Sequence, residues 1–161
     1  MVRRTATSSE EPSLSKTEHA VEQFMLGLNC AQAVVAEFAE ELGVDAESAC
    51  RMACGFGGGM GRTGGTCGAV TGAIMVIGLA VCGPNPPAVD SKIRTYELVR
   101  SFLEEFRAEH QAVTCRELLG CDVGTPEGHA EAQRLGVFQT RCPTFVESAV
   151  EILEDMLDDI I

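Results

Sequence analysis

An all-α fold is predicted by three features of this 161-residue sequence. Apolar residues recur at helical spacing along most of the chain, and no stretch alternates with the period of a strand. Side chains that cap helix N-termini precede the apolar runs. The expected architecture is a bundle of about five main helices plus short ones, wrapped around an apolar central helix over residues 67–82.

Residues 1–13 are polar, lack periodicity and contain Pro12, so they read as a disordered tail. The rest, 14–161, reads as one helical domain. Ser15 caps a helix over 16–26, with Ala20 and Phe24 on its inner face and Gly27 as its stop. Asn29 caps a second helix over 30–42, closed by Gly43, and Asp45 caps a third over 46–54. The segment 55–68 (GFGGGMGRTGGTCG) holds eight of the seventeen glycines, a density no regular helix tolerates. Thr66 then caps helix 67–82, which has no polar face and so belongs inside.

After the GPNPP break at 83–87, Asp90 caps a long helix over 91–111. Its inward residues are Ile93, Leu98, Phe102, Leu103 and Phe106. Thr114 to Glu117 reads as a capping box opening a short helix that Gly120 stops. Thr125-Pro126 opens another, to Leu135. Pro143 starts the last helix, with Phe145, Ala149, Leu153, Met156 and Ile160 as its stripe and a solvated acidic face opposite.

Twelve basic against twenty-four acidic residues give a net charge of −12. That charge repels phosphate backbones and anionic lipid, so neither nucleic acid nor membrane is an expected partner. The longest apolar stretch, 68–83, is too short for a bilayer and carries four glycines within it or at its ends. The N-terminus lacks the apolar region of an export signal. The expected location is a reducing cytoplasm, where eight cysteines point to redox or metal chemistry rather than structural disulfides.

Four of those cysteines fall at predicted helix starts: Cys30, Cys67, Cys115 and Cys142. Unpaired amides and the positive end of the helix dipole favour thiolate there, so their pKa values are expected to fall. Cys50 and Cys54, one helical turn apart, read as small buried hydrophobes, and Cys82 reads as packing. Cys121 follows Gly120 and has room for a supporting role. The glycine segment lacks the Lys-Ser or Lys-Thr of a phosphate loop, and no strand precedes it as in a dinucleotide fold. Phosphate held by backbone amides with Arg62 as counter-charge is the weaker reading. The stronger one is that Gly58, Gly59, Gly65, Gly68 and Gly72 let backbone approach a reactive sulfur or a bound cofactor. His19, His110 and His129 lie in polar helical contexts and form no metal pair.

Leu28 to Val34 (LNCAQAV), Gly57 to Arg62 (GGGMGR), Cys67 to Gly72 (CGAVTG), Cys115 to Gly120 (CRELLG) and Cys142-Pro143 together resemble the redox-active family labelled C_GCAxxG_C_C. The resemblance covers roughly 16–157 and implies a small bacterial or archaeal helical protein. Its four signature cysteines correspond to Cys30, Cys67, Cys115 and Cys142; it implies no substrate. Similar domains occur in cytochrome-like proteins associated with an iron–sulfur cluster. This chain has no Cys-x-x-Cys-His haem segment, so only the cluster would carry over.

Two chemistries are therefore expected of the same four thiols. In the first, Cys67 attacks a disulfide and Cys30, Cys115 or Cys142 resolves it. In the second, all four hold an iron–sulfur cluster or zinc. A third reading gives the cysteines packing roles only, with a partner on the acidic face. The mean hydropathy of +0.10 allows a homodimer interface, and the redox partner is left open.

Overall fold

The computed structural model describes residues 12–83 and 88–160. Of the expected tail only Pro12 and Ser13 fall among them, and positions 84–87 of the GPNPP break lie outside. Every regular element among the described residues is helical; one isolated antiparallel bridge joins Thr66 to Thr114.

Local cap chemistry sets most of the helix starts. The Ser15 hydroxyl accepts the Glu18 amide, and the Glu18 carboxylate accepts the Ser15 amide, opening α1 (Lys16–Met25). Asn29 and Gln32 make the same reciprocal pair at the start of α2 (Cys30–Ala39). Asp45 caps α3 (Ala46–Ala53) through the Ser48 amide. The side chains of Asn29 and Gln32 also donate to the Cys54 and Cys50 carbonyls, so the cap of α2 satisfies the C-terminal end of α3. A 3-10 turn over Cys54–Phe56 leads into the glycine segment, and α4 runs Gly68–Val81.

Beyond the break come α5 (Val89–His110), α6 (Cys115–Leu119), α7 (Pro126–Leu135), α8 (Val137–Thr140) and α9 (Cys142–Asp158). Thr114 and Thr125 cap α6 and α7 through the Glu117 and Gly128 amides. The Glu117 carboxylate meets the Thr114 hydroxyl instead of its backbone amide, so the box at α6 is half made.

Several boundaries differ from the sequence expectation. α2 stops at Ala39, because 40–43 wind into a tighter turn closed by Val44 N–H on the Ala39 carbonyl. α5 begins at Val89, leaving Asp90 in its first turn, where its charge complements the dipole without capping. Ile93 faces outward at 49% exposure, whereas Phe102 and Phe106 are fully buried. Val137–Thr140 had no sequence signal of its own; Gly136 ends α7 in left-handed geometry and α8 follows at once. His110 is no surface histidine. Its ring packs 4.6 Å from Phe106 and 5.0 Å from Phe145, and Nε2 pairs with Ser148 Oγ at 2.8 Å. Burial lowers its pKa, with Glu109 opposing and Arg141 assisting.

The core is one contiguous cluster drawn from most of the helices. α4 buries Ala69, Val70, Ala73, Val76 and Ile77 and packs on α2, α5 and α9; its last turn surfaces at Leu79. The approach of α2 to α4 is set by absent side chains. A Cβ at Gly72 would lie 2.8 Å from the Ala31 carbonyl oxygen, and one at Gly68 would lie 2.9 Å from the Ala31 amide and 3.0 Å from Cys30 Cβ. Only glycine allows that crossing, and the crossing brings the starts of the two helices together.

Candidate thiol site

All four cysteines at the predicted helix starts lie at helix N-termini. Cys67 is the N-cap of α4, one position earlier than expected; Thr66 is drawn into the bridge with Thr114 instead. Cys30, Cys115 and Cys142 are the first residues of α2, α6 and α9. The Cys67 amide donates to the Val113 carbonyl at 2.8 Å, and the Cys115 amide donates to the Gly65 carbonyl at 2.6 Å. These two bonds flank the Thr66–Thr114 bridge and hold Cys67 and Cys115 in backbone register.

The sulfurs are gathered. The thiols of Cys142 and Cys67 both lie within hydrogen-bonding reach of Cys30, and Cys115 feels the charges of Cys67 and Cys142. All eight cysteines are free thiols. Cys67, Cys115 and Cys142 are buried, whereas Cys30 is half-buried. Cys30, Cys115 and Cys142 line a cavity of about 430 Å³, and Cys67, at 3% exposure, lies off its wall.

Helix position alone predicts lowered pKa values, and this holds for Cys67 only among the three whose shifts are marked. The Cys30 thiol donates to Cys67 and lowers its pKa, burial opposes, and the Ala69 and Val70 amides add to the lowering. Those amides act on the large sulfur without forming a regular side-chain cap bond. Cys30 is driven well above the ordinary thiol range by its hydrogen bonds to Cys142 and Cys67, then by burial and their charges. Burial, aided by the charges of Cys67 and Cys142, pushes Cys115 up to about 12. The first amides of α6 are occupied by the Gly65 and Gly64 carbonyls, which leaves little dipole to offset that burial. Of these three thiols only Cys67 is shifted toward the thiolate.

The glycines divide by role. Gly58, Gly59 and Gly68 line the cavity with the thiols. Gly65 is off its wall and supplies the carbonyl that receives Cys115, and Gly72 serves the α2–α4 crossing. From Gly58 to Arg62 five consecutive residues are left-handed, including Met60 (φ 65°) and Arg62 (φ 59°). A side chain in that conformation costs about 1–2 kcal/mol. Met60→Gly is therefore expected to raise stability by about 0.5–1 kcal/mol in thermal melts, after the entropic cost of glycine in the unfolded chain. A lower melting temperature would show the turn to be unstrained.

Among the remaining cysteines, Cys54 is exposed and Cys50 half-buried, so neither is the buried hydrophobe expected; burial still raises the Cys50 pKa. Cys82 is half-buried and Cys121 buried. Sequence reasoning missed His129, which lines the cavity and packs 5.5 Å from the Phe138 ring, along with Phe24 and Gln133. Nothing local marked them, because α1 and α7 reach the site only through the tertiary fold.

The family model described as "Putative redox-active protein (C_GCAxxG_C_C)" matches residues 28–156. The chain belongs to this family. The C_GCAxxG_C_C match spans all four signature cysteines and the whole glycine segment. No curated protein and no solved structure matches the chain.

With its family and its cysteine-rich helical fold, this is a redox-active thiol protein. The four thiols as placed do not fit the iron–sulfur cluster or zinc of the second expectation. Among the described residues no three of His, Cys, Asp and Glu are arranged to hold a metal ion. No described helix is long and apolar enough to cross a membrane.

Proposed function

We propose that the protein exchanges electrons with disulfides through Cys30 and Cys67, with Cys142 and Cys115 completing the thiol pocket. The observation that carries this reading is the position of Cys30. Cys30 lines the cavity and Cys67 beside it does not, so in this reading the attacking role expected of Cys67 passes to Cys30 and Cys67 resolves.

In the reduced protein Cys67 carries the charge and Cys30 the proton. When a disulfide R–S–S–R enters, the Cys30 proton passes to Cys67 and Cys30 Sγ attacks one substrate sulfur. The substrate S–S bond breaks, R–S⁻ leaves, and a Cys30–S–S–R mixed disulfide forms. Cys67 returns its proton to the leaving thiolate and attacks Cys30 Sγ, expelling the second R–S⁻, which takes a proton from solvent. In sum, the substrate gains two electrons and becomes two R–SH, and the Cys30–Cys67 pair loses two and closes a disulfide. The reverse sequence reduces the protein.

The scaffold in this reading is a single helical domain over 14–161, with about five main helices around the apolar helix 67–82. We place it in a reducing cytoplasm as a homodimer serving a separate redox partner. Exposed Val89, Ile93 and Tyr96 on α5 and Leu79 on α4 give the dimer an apolar face.

Incubation with 2-hydroxyethyl disulfide is expected to oxidise one pair of the eight thiols, mapped by mass spectrometry to Cys30–Cys67 and reversed by dithiothreitol. Because the Cys67 pKa is lowered, the thiolate absorbance at about 240 nm that is lost in Cys67→Ser should persist as pH falls below the range where ordinary thiols ionise. An ordinary pH profile at Cys67 with no disulfide formed would sink the proposal. So would stoichiometric iron or zinc on these thiols after anaerobic purification.

A further inference from the structure

The cavity in front of the thiols has a charge character unlike the rest of the molecule. Arg62 and His129 line it together with Cys30, Cys115 and Cys142. A wider cleft of about 950 Å³ shares Gly58, Arg62 and His129 with it and continues outward past Cys54 and Thr125. Among the described residues no aspartate or glutamate lines either space, although the chain has 24 acidic residues and a net charge of −12. Among the described residues Arg62 is the only lysine or arginine lining either, and it forms no ion pair with another of them.

Position adds a second argument. Arg62 is held at φ 59°, a conformation that disfavours any side chain, in a turn otherwise made almost entirely of glycine. A guanidinium kept there, beside thiols and away from carboxylates, is a ready partner for an anion. The paired volumes suit a small molecule that reaches the thiols while part of it stays in the cleft.

From these observations we infer that the site selects disulfides carrying a carboxylate or similar anionic group, held by Arg62 while the disulfide sulfur meets Cys30. This rests on the thiol-exchange reading above and adds the substrate class. The negative surface elsewhere repels such a ligand, so recognition is local to this cleft.

Three disulfides of matched size separate charge from chemistry: 3,3′-dithiodipropionate (anionic), 2-hydroxyethyl disulfide (neutral) and cystamine (cationic). Each is compared between wild type and Arg62→Ala, so differences in leaving-group pKa cancel. The variant is expected to lose about tenfold to a hundredfold in kcat/KM with the dianion. It should stay within about twofold with the neutral compound and be no slower with cystamine. Arg62→Lys should recover part of the loss. A second measurement needs no exchange: the thioether 3,3′-thiodipropionate should bind wild type in calorimetry, weaken with salt and fail to bind Arg62→Ala. Equal losses for all three disulfides, or thioether binding indifferent to Arg62, would overturn the inference. Exchange absent with every disulfide, but Arg62-dependent thioether binding intact, would overturn the thiol reading and leave the anion site standing.

Discussion

Cys67→Ala is expected to stop disulfide turnover, with a loss on the order of a thousandfold or more, because the resolving thiolate is gone. The variant should instead trap its substrate. Cys30 still lines the cavity, and with Cys67 removed it loses one of the contacts that hold its pKa high. It should release one equivalent of R–SH, halt, and carry the R–S group as a mixed disulfide visible in the intact mass. Cys30→Ser should show neither the burst nor the adduct. Removing the buried sulfur costs about 1 kcal/mol of packing, so the variant should stay folded. Full turnover in Cys67→Ala would transfer the resolving role to Cys142, the other sulfur within reach of Cys30.

A substitution that touches no sulfur should do its damage to stability instead. Gly72→Val places a branched side chain where even a Cβ would sit 2.8 Å from a backbone oxygen and 3.1 Å from Ala31 Cα. Backbone cannot rotate away as a side-chain tip does, so α2 must move. We expect a loss of about 3 kcal/mol in denaturant melts, the upper range for overpacking. As α2 moves it carries Cys30 from Cys67, so the Cys67 pKa should rise toward the ordinary thiol value. Gly78→Ala on the same helix is the control. Nothing lies within 4 Å of its added Cβ, and alanine should stabilise the helix by about 1 kcal/mol. Equal responses at the two glycines would refute the close-crossing account.

The helix starts were legible because caps are local chemistry. Ser15, Asn29, Asp45, Thr114 and Thr125 each accept the amide three residues ahead, whatever the rest of the fold does. The positions of the four cysteines were legible for the same reason. Their electrostatics were not. The dipole argument treats each helix start as open, yet the start of α6 is filled by glycine carbonyls, and Cys30 is governed by two neighbouring sulfurs. The left-handed path was equally hidden, since Met60 and Arg62 are residues that ordinarily avoid it. In the sequence Arg62 reads only as a phosphate counter-charge, and His129 only as a histidine in a polar helix without a metal partner. Both line the cavity because tertiary packing brings their segments to it.

The short bridge between Thr66 and Thr114 bears on how any sulfur series should be interpreted. Main-chain amides and carbonyls fix the spacing of Cys67 and Cys115 without help from their side chains. Exchanging sulfur for oxygen at either position leaves those bonds in place. Deuterium uptake at the two amides should therefore stay slow across serine variants, so that a change in reactivity reports the element replaced rather than a scaffold that has come apart.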